Sequence, residues 1–285
     1  MLTRFSFLVF VALICAAVPV FGQGITTHKV AGNIYMLEGR GGNIGVSVGE
    51  DGVLVIDTQF DNMAGPIRDA IKKLSNGDIE FIVNTHFHGD HTGGNVALGQ
   101  DVPVIAHENT RTRMLATGDA SDQAFRNSLP WVTFDDDLSL HFNGEEIKIV
   151  HFPTGHTDTD CILFFTESNV VHMGDHFFNG FFPFIDLAGG GDVASYLNNV
   201  QSVIEQLAAD VKIIPGHGAL ATLDDLKAFK EMIDETVAII RKGIEAGQDE
   251  KQLQEAGLPD KYSDAGTGFI NTKRWISIVY QSYTR

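Results

Sequence analysis

The sequence predicts an α/β protein in which two packed β-sheets lie between outer layers of helices. Three observations carry this expectation. Short apolar, β-branched runs joined by Gly-rich turns fill two separate stretches of the chain. Each stretch is followed by segments whose apolar residues recur at helical spacing. No Pro- or Ser-rich linker separates the two halves. A sheet must bury one face and a helix one stripe, so two strand-rich halves with helices outside stack as layers around a shared core.

The elements follow in order. Residues 33–37, 42–48 and 53–56 read as strands between Gly-rich turns. Residues 63–74 place Met63, Ile67, Ile71 and Leu74 on one helical face. Residues 81–83 form a buried strand that runs directly into Asn84, Thr85 and His86. A strand at 102–106, a helix at 108–116 and a polar, irregular stretch at 118–131 complete the first half. The second half has strands at 138–142, 147–152, 161–165 and 169–173. The helix at 193–208 carries Val193, Leu197, Val200, Ile204 and Leu207 on one face. A strand at 211–214 ends in Pro215-Gly216-His217-Gly218, and residues 223–243 and 272–280 read as helices. The two halves duplicate one another only in this coarse order of elements.

A length of 285 residues allows one or two domains. The lack of a linker favours a single domain over 23–285. Hydrophobic residues make up 44% and charged residues 20%, the composition of a globular chain with a real core. The formal charge of -17 argues against a nucleic-acid partner, because phosphate binding needs clustered Lys and Arg. It argues equally against docking on an anionic membrane.

The first 22 residues read as a signal peptide. Arg4 precedes a charge-free apolar run at 5–18, and Val20-Phe21-Gly22 offers small residues at a cleavage site after Gly22. The run is short for a membrane span. The expected location is therefore periplasmic or secreted, without stable membrane association. Cys15 leaves with the signal, so the mature chain keeps Cys161 alone and forms no internal disulfide. A lipoprotein anchor at Cys15 is disfavoured by the large Ile14 before it.

The chemistry concentrates in His86-Phe87-His88-Gly89-Asp90-His91. Alternate residues of an extended segment point the same way, so His86 and His88 can share one metal ion. Asp90 and His91 lie where the chain turns and can face a second ion beside the first. Imidazole and carboxylate donors suit zinc, and also iron or manganese. A surface or core role for one histidine is ordinary; for four potential ligands within six residues at the mouth of a buried strand it is not. His156 and His217 each follow a strand within a Gly-containing loop. His28, His107, His141, His151, His172 and His176 match no ligand position and read as structural, although His176 adjoins Asp175. No Gly-x-Ser-x-Gly elbow and no phosphate-cradling Gly-rich loop occurs.

These motifs resemble those of the metallo-β-lactamase superfamily. The likeness runs in order through 53–58, 84–95, 153–157, 173–175 and 215–218. It implies an αββα four-layer sandwich with two metal ions at the edge between the sheets. By position it implies that His86, His88 and His156 hold the first ion, that Asp90, His91 and His217 hold the second, and that Asp175 bridges them. Asp57 resembles the family's acid that orients a ligand histidine; a turn-capping role explains it nearly as well. Asp90 is the expected catalytic carboxylate. The expected reaction is hydrolysis of a small carbonyl substrate by water activated between two Zn2+ ions.

The substrate is less legible. The position at which one lactamase group carries a Lys is Phe178 here, and its Asn is Gly189. Lactonases of the superfamily tend to carry a Tyr near Phe178. β-Lactam hydrolysis therefore stands beside lactone, ester and thioester hydrolysis, and beside an iron-dependent, persulfide-dioxygenase-like oxidation. Phe177, Phe178, Phe181, Phe182 and Phe184 form a cluster that would either favour an apolar acyl group or pack the core.

Overall fold

A computed structural model describes residues 24–285, so the expected signal peptide at 1–22 and Cys15 lie outside the described residues. The first sheet takes its strands in chain order. These are β1 (Thr26–Ala31), β2 (Ile34–Glu38), β3 (Ile44–Gly49), β4 (Gly52–Ile56), β5 (Ile79–Val83), β6 (Val104–His107) and β7 (Val132–Phe134). β1 to β4 pair antiparallel and β4 to β7 parallel. The second sheet has the order β13-β12-β11-β10-β9-β8. Its members are β8 (Asp137–Phe142), β9 (Glu145–His151), β10 (Cys161–Phe165), β11 (Val170–His172), β12 (Lys212–Ile214) and β13 (Ala221–Thr222). Only β11 and β12 pair parallel there.

The helices are α1 (Ala64–Leu74), α2 (Gly89–Thr92), α3 (Asn95–Leu98), α4 (Glu108–Thr117) and α5 (Gln123–Ser128), then α6 (Val193–Gln206), α7 (Leu223–Glu245), α8 (Glu250–Ala256) and α9 (Thr272–Thr284). None of the described helices is long and apolar enough to cross a membrane.

The side-chain alternation of single strands builds the layers. In β4, Leu54 and Ile56 join Met36, Val83 and Ile105 against Ile149, Leu163, Phe165 and Ile214 of the second sheet. Val53 and Val55 point the other way, onto Ile67 and Ile71 of α1. In the second sheet, Ile162, Val171 and Ile213 turn outward onto Val200 of α6, Phe229 and Ile233 of α7 and Trp275 of α9. The molecule is thus the helix–sheet–sheet–helix sandwich that the sequence implies. β4 is buried on both faces, which is why it reads as an unbroken apolar run.

The sequence reading has no counterpart for α3, α8, β7 or β13, and it differs in two further places. The polar stretch at 118–131 is not wholly irregular, because Asp122 caps α5 by accepting from Ala124 N. β1 has no apolar signature, since it is a largely exposed edge strand of sequence TTHKVA.

Topology brings the functional loops together. β4, β5 and β6 are parallel, so their C-terminal ends share one edge. In the second sheet, β9, β11 and β12 all end on one side, because β10 runs opposite to β9 and β11. Two backbone-to-backbone hydrogen bonds join these edges, from Cys161 N to Thr85 O (2.7 Å) and from Asn43 N to Gly216 O (2.7 Å).

Candidate metal centre

Four segments meet at this shared edge. β5 delivers His86 and His88, the first turn of α2 delivers Asp90 and His91, and the β9–β10 loop delivers His156. Asp175 sits on the short turn after β11, and His217 follows β12. The structure brings all seven together. His86, His88, His156 and Asp175 form one group and Asp90, His91 and His217 another, each with donor atoms within 4.8 Å of one another.

Asp175 lies between the two groups. Its Oδ2 is 3.4 Å from His156 Nε2 and 3.8 Å from His86 Nε2, while Oδ1 is 3.1 Å from His91 Nε2 and 3.4 Å from His217 Nε2. Asp90 Oδ2 is 3.5 Å from His217 Nε2 and 3.8 Å from His91 Nε2. Exposure grades from floor to mouth. The His86, His91 and His156 side chains are buried, whereas His88 is 18%, His217 27% and Asp90 31% exposed.

The hydrogen bonds behind the rings set which nitrogen faces inward. His91 donates through Nδ1 to Asp57 Oδ2 at 2.7 Å. His156 donates through Nδ1 to Phe184 O at 2.6 Å. His88 donates through Nε2 to Asp186 Oδ2 at 3.1 Å. Thr85 Oγ1 donates to Asp57 Oδ2, which leaves it to accept from His86 Nδ1 at 3.0 Å. With those protons fixed, His86 Nε2, His88 Nδ1 and His156 Nε2 offer lone pairs to one another. His88 Nδ1 lies 3.1 Å from His86 Nε2 and 2.9 Å from His156 Nε2. Converging lone pairs are stabilised by a cation and by little else. His91 Nε2 and Asp175 Oδ1 are likewise buried with no hydrogen-bond partner among the described residues. The donor set therefore fits two divalent cations.

Burial, with the neighbouring histidines, holds His86 well below the usual imidazole range, and burial lowers His156 to about 3. Both are thus neutral, as ligands must be. Burial would also depress His91, but Asp175, Asp57 and Asp90 together outweigh it and raise the group. For Asp175, burial is outweighed by the surrounding imidazoles, above all His91 and His217, which keep the carboxylate ionised.

Backbone geometry serves the same end. Asp57 adopts φ 64° just after β4 while accepting from Thr85 N and Oγ1. It thus ties down the loop after β5 and orients His91, and among the described residues its side chain makes no bond within its own turn. A Cβ at Gly42 would strike the His91 ring, and one at Gly216 would strike Asp175 Oδ1.

The remaining histidines stand elsewhere. His176 is buried behind the centre, stacked on Tyr196 at 5.4 Å and 3.2 Å from Asn199 Nδ2. His172 donates to Asn43 O, and His107 and His151 stack on each other at 3.5 Å. His28 pairs with Glu38, and His141 lies on β8.

A family model described as the metallo-beta-lactamase superfamily matches residues 37–217, more than half of the chain. The chain belongs to the metallo-β-lactamase superfamily. Among relatives in this superfamily, the lactamase-like protein aptB of Emericella nidulans is 27% identical over 214 residues, covering 71% of this chain and 61% of aptB. The chain thus spans about three fifths of that relative. Hydroxyacylglutathione hydrolase GloC of Haemophilus influenzae is 28% identical over 160 residues, 53% of this chain and 74% of GloC. Two solved structures are similar in shape. The DIM-1 metallo-β-lactamase superposes with a TM-score of 0.62 at 19% identity, over 74% of this chain and 98% of its own. The sec-alkyl sulfatase PisA1 superposes with 0.71 at 15% identity, over 92% of this chain and 50% of its own. At such identities the likeness is one of fold.

Asp186 escaped the sequence reading. It lies 98 residues from His88 with no motif around it, and only folding sets it against that ring. His88 fixes its Oδ2, and Gly189 N donates to Oδ1 at 2.9 Å; these hold its carboxyl down at about 2. Asp186→Ala is expected to lower metal affinity about 10–100-fold with little change in fold, as competition against a chromogenic chelator will measure.

Proposed function

We propose that this superfamily member is an exported hydrolase that opens the acyl bond of a small carbonyl substrate at a pair of zinc ions. The observation that carries the reading is the pair of converging donor groups with Asp175 between them. His86, His88 and His156 would hold one ion, Asp90, His91 and His217 the other, and Asp175 both. Two such ions supply water that ionises near neutral pH and polarise the substrate oxygen.

The chain's own residues do the rest. Asp57, Asp186 and the Phe184 carbonyl orient the ligand imidazoles. Asp90 stands at the mouth with Oδ2 turned inward, and neither carboxylate oxygen carries a hydrogen bond among the described residues. Its Oδ1 can therefore hold the proton that the attacking water gives up and pass it to the leaving group. One water is consumed: its oxygen bonds to the carbonyl carbon, the C–N, C–O or C–S bond breaks, and the leaving atom takes the proton. Phe178 stacks on His217 at 5.1 Å and Phe184 reaches to 5.8 Å from both His88 and His156, so aromatic rings wall one side of a mouth that also carries Asp90. An apolar acyl group suits such walls.

The test is a metal count and a substrate panel on protein recovered from the cell envelope or medium, whose mass also reports cleavage after Gly22. Two zinc ions per chain are expected, with turnover of a chromogenic cephalosporin, a lactone, an ester or a thioester. A chelator abolishes that turnover and Asp90→Asn cuts it by at least about a hundredfold. Iron in place of zinc with oxygen-dependent loss of a persulfide would replace this reading with the oxidative one.

A further inference from the structure

The lining of the mouth continues outward as one line of aromatic rings that ends in a cation. Phe184 contacts the rings of His88 and His156, and Phe269 meets Phe184 edge-on at 6.2 Å. Phe269 is 77% exposed, far more than the other large apolar side chains of the surface. Arg274, in the first turn of α9, places its guanidinium 4.7 Å from the Phe269 ring and 5.4 Å from the Phe184 ring.

That guanidinium is uncommitted. Among the described residues it donates no hydrogen bond, and no carboxylate comes within 4.0 Å, in a chain with 37 acidic and 20 basic residues. Arg113, Arg241 and Arg285, by contrast, each meet a carboxylate. The rings below Arg274 restrict the guanidinium and strip water from one face, while the N–H groups at its edge stay open. Such an edge takes a carboxylate with two parallel bonds. The start of a helix adds further attraction for an anion. Phe184 is the single ring between Arg274 and the His88 imidazole, so the guanidinium lies no more than about 11 Å from that imidazole, the reach of about three extended residues.

Resting on the hydrolase reading above, we propose that the substrate is an acyl compound with an anionic far end. Its carbonyl lies at the His and Asp centre, its apolar middle lies on Phe184 and Phe269, and its terminal carboxylate is gripped by Arg274. The metal centre sets the reaction and Arg274 selects the substrate.

The probes are the mono-4-nitrophenyl ester of octanedioic acid and the same ester with its free end capped as a methyl ester. Zinc-loaded protein is expected to show a KM about tenfold lower for the charged ester at similar kcat. Arg274→Gln removes that difference, Arg274→Lys restores part of it, and Phe269→Ala raises KM for both esters. Arg40→Gln makes the same change of net charge at an exposed arginine beside Gly41 and Gly42, which pack against Asp90 and His91, and leaves the preference intact. Equal KM values for the two esters in the unsubstituted protein, or a preference that survives Arg274→Gln, would overturn the proposal. If neither ester is hydrolysed, the ester reading fails on its own account. Calorimetric binding of octanedioic acid monoamide against octanamide then decides the anion grip: tighter binding of the charged amide, lost in Arg274→Gln, supports it, and equal binding rejects it.

Discussion

Asp175→Ala is expected to strip both ions of the proposed two-metal centre at once and to abolish the proposed hydrolysis. The loss should exceed by a wide margin the roughly 10–100-fold that an outer hydrogen-bond partner of a ligand costs. Asp175 is the one carboxylate that approaches His86, His91, His156 and His217, all within 3.8 Å. Removing it takes a ligand from each group and also the charge that offsets their burial. Asp175→Asn keeps the shape of the side chain and is expected to lose the ions nearly as completely, because the charge is what is missing. Metal analysis after gel filtration, with circular dichroism to show that the sandwich persists, is the measurement. A folded Asp175→Ala protein that still carries two ions would remove Asp175 from its bridging role.

The metal-free protein is expected to lose thermal stability steeply as the pH falls from about 6.5 towards 4. Burial holds His172 and His151 at about 4, and His156 and His176 at about 3, with His107 adding to the shift at His151. In the unfolded chain each would titrate near 6.5. Their folded values are depressed, so these neutral rings contribute their full stability above about 6.5. That contribution fades as the pH falls towards the folded values, by up to about 1.4 kcal/mol per pH unit for each fully buried group. Asp160 acts in the opposite sense. Burial raises it to about 8, so its contribution is present at low pH and fades between about 4 and 8. With His86, which burial also holds well below the usual imidazole range, five histidines stand against one aspartate and leave the histidines ahead. Tm followed between pH 8 and pH 4 in the presence of a chelator measures the balance, and a flat profile from 6.5 to 4 would sink the argument. Asp160→Asn should steepen the acid limb and raise Tm at pH 8.

The histidines show how far local spacing reaches. His86 to His91 could be read as a ligand set because the chemistry is compressed into six residues after one buried strand, and such a segment keeps its geometry wherever the strand is placed. His151, His172 and His176 have no such grouping, and nothing in the sequence marks them as buried neutral rings. That state comes from burial, which only the packed fold creates; the carbonyls of Asn43 and Asp160 that accept from His172 and His151 act against it. The aromatic run from Phe177 to Phe184 divides in the same way. Phe177 packs on Phe229 and Phe182 on Trp275 in the core, whereas Phe178 and Phe184 face ligand imidazoles. A loop containing Pro183 has no periodicity to foretell which ring turns where.

By itself, then, the sequence determined the layers, through the alternation of strands such as Gly52–Ile56, and it determined the candidate ligands, through their residue types and their places at strand ends. Only the tertiary structure decided which nitrogen of each imidazole faces inward, that Asp186 holds His88, and that Arg274 stands over Phe184 and Phe269 near the mouth. Those contacts join residues separated by as many as 98 positions in the chain. The packing of two sheets and a C-terminal helix creates them, and no local pattern encodes them.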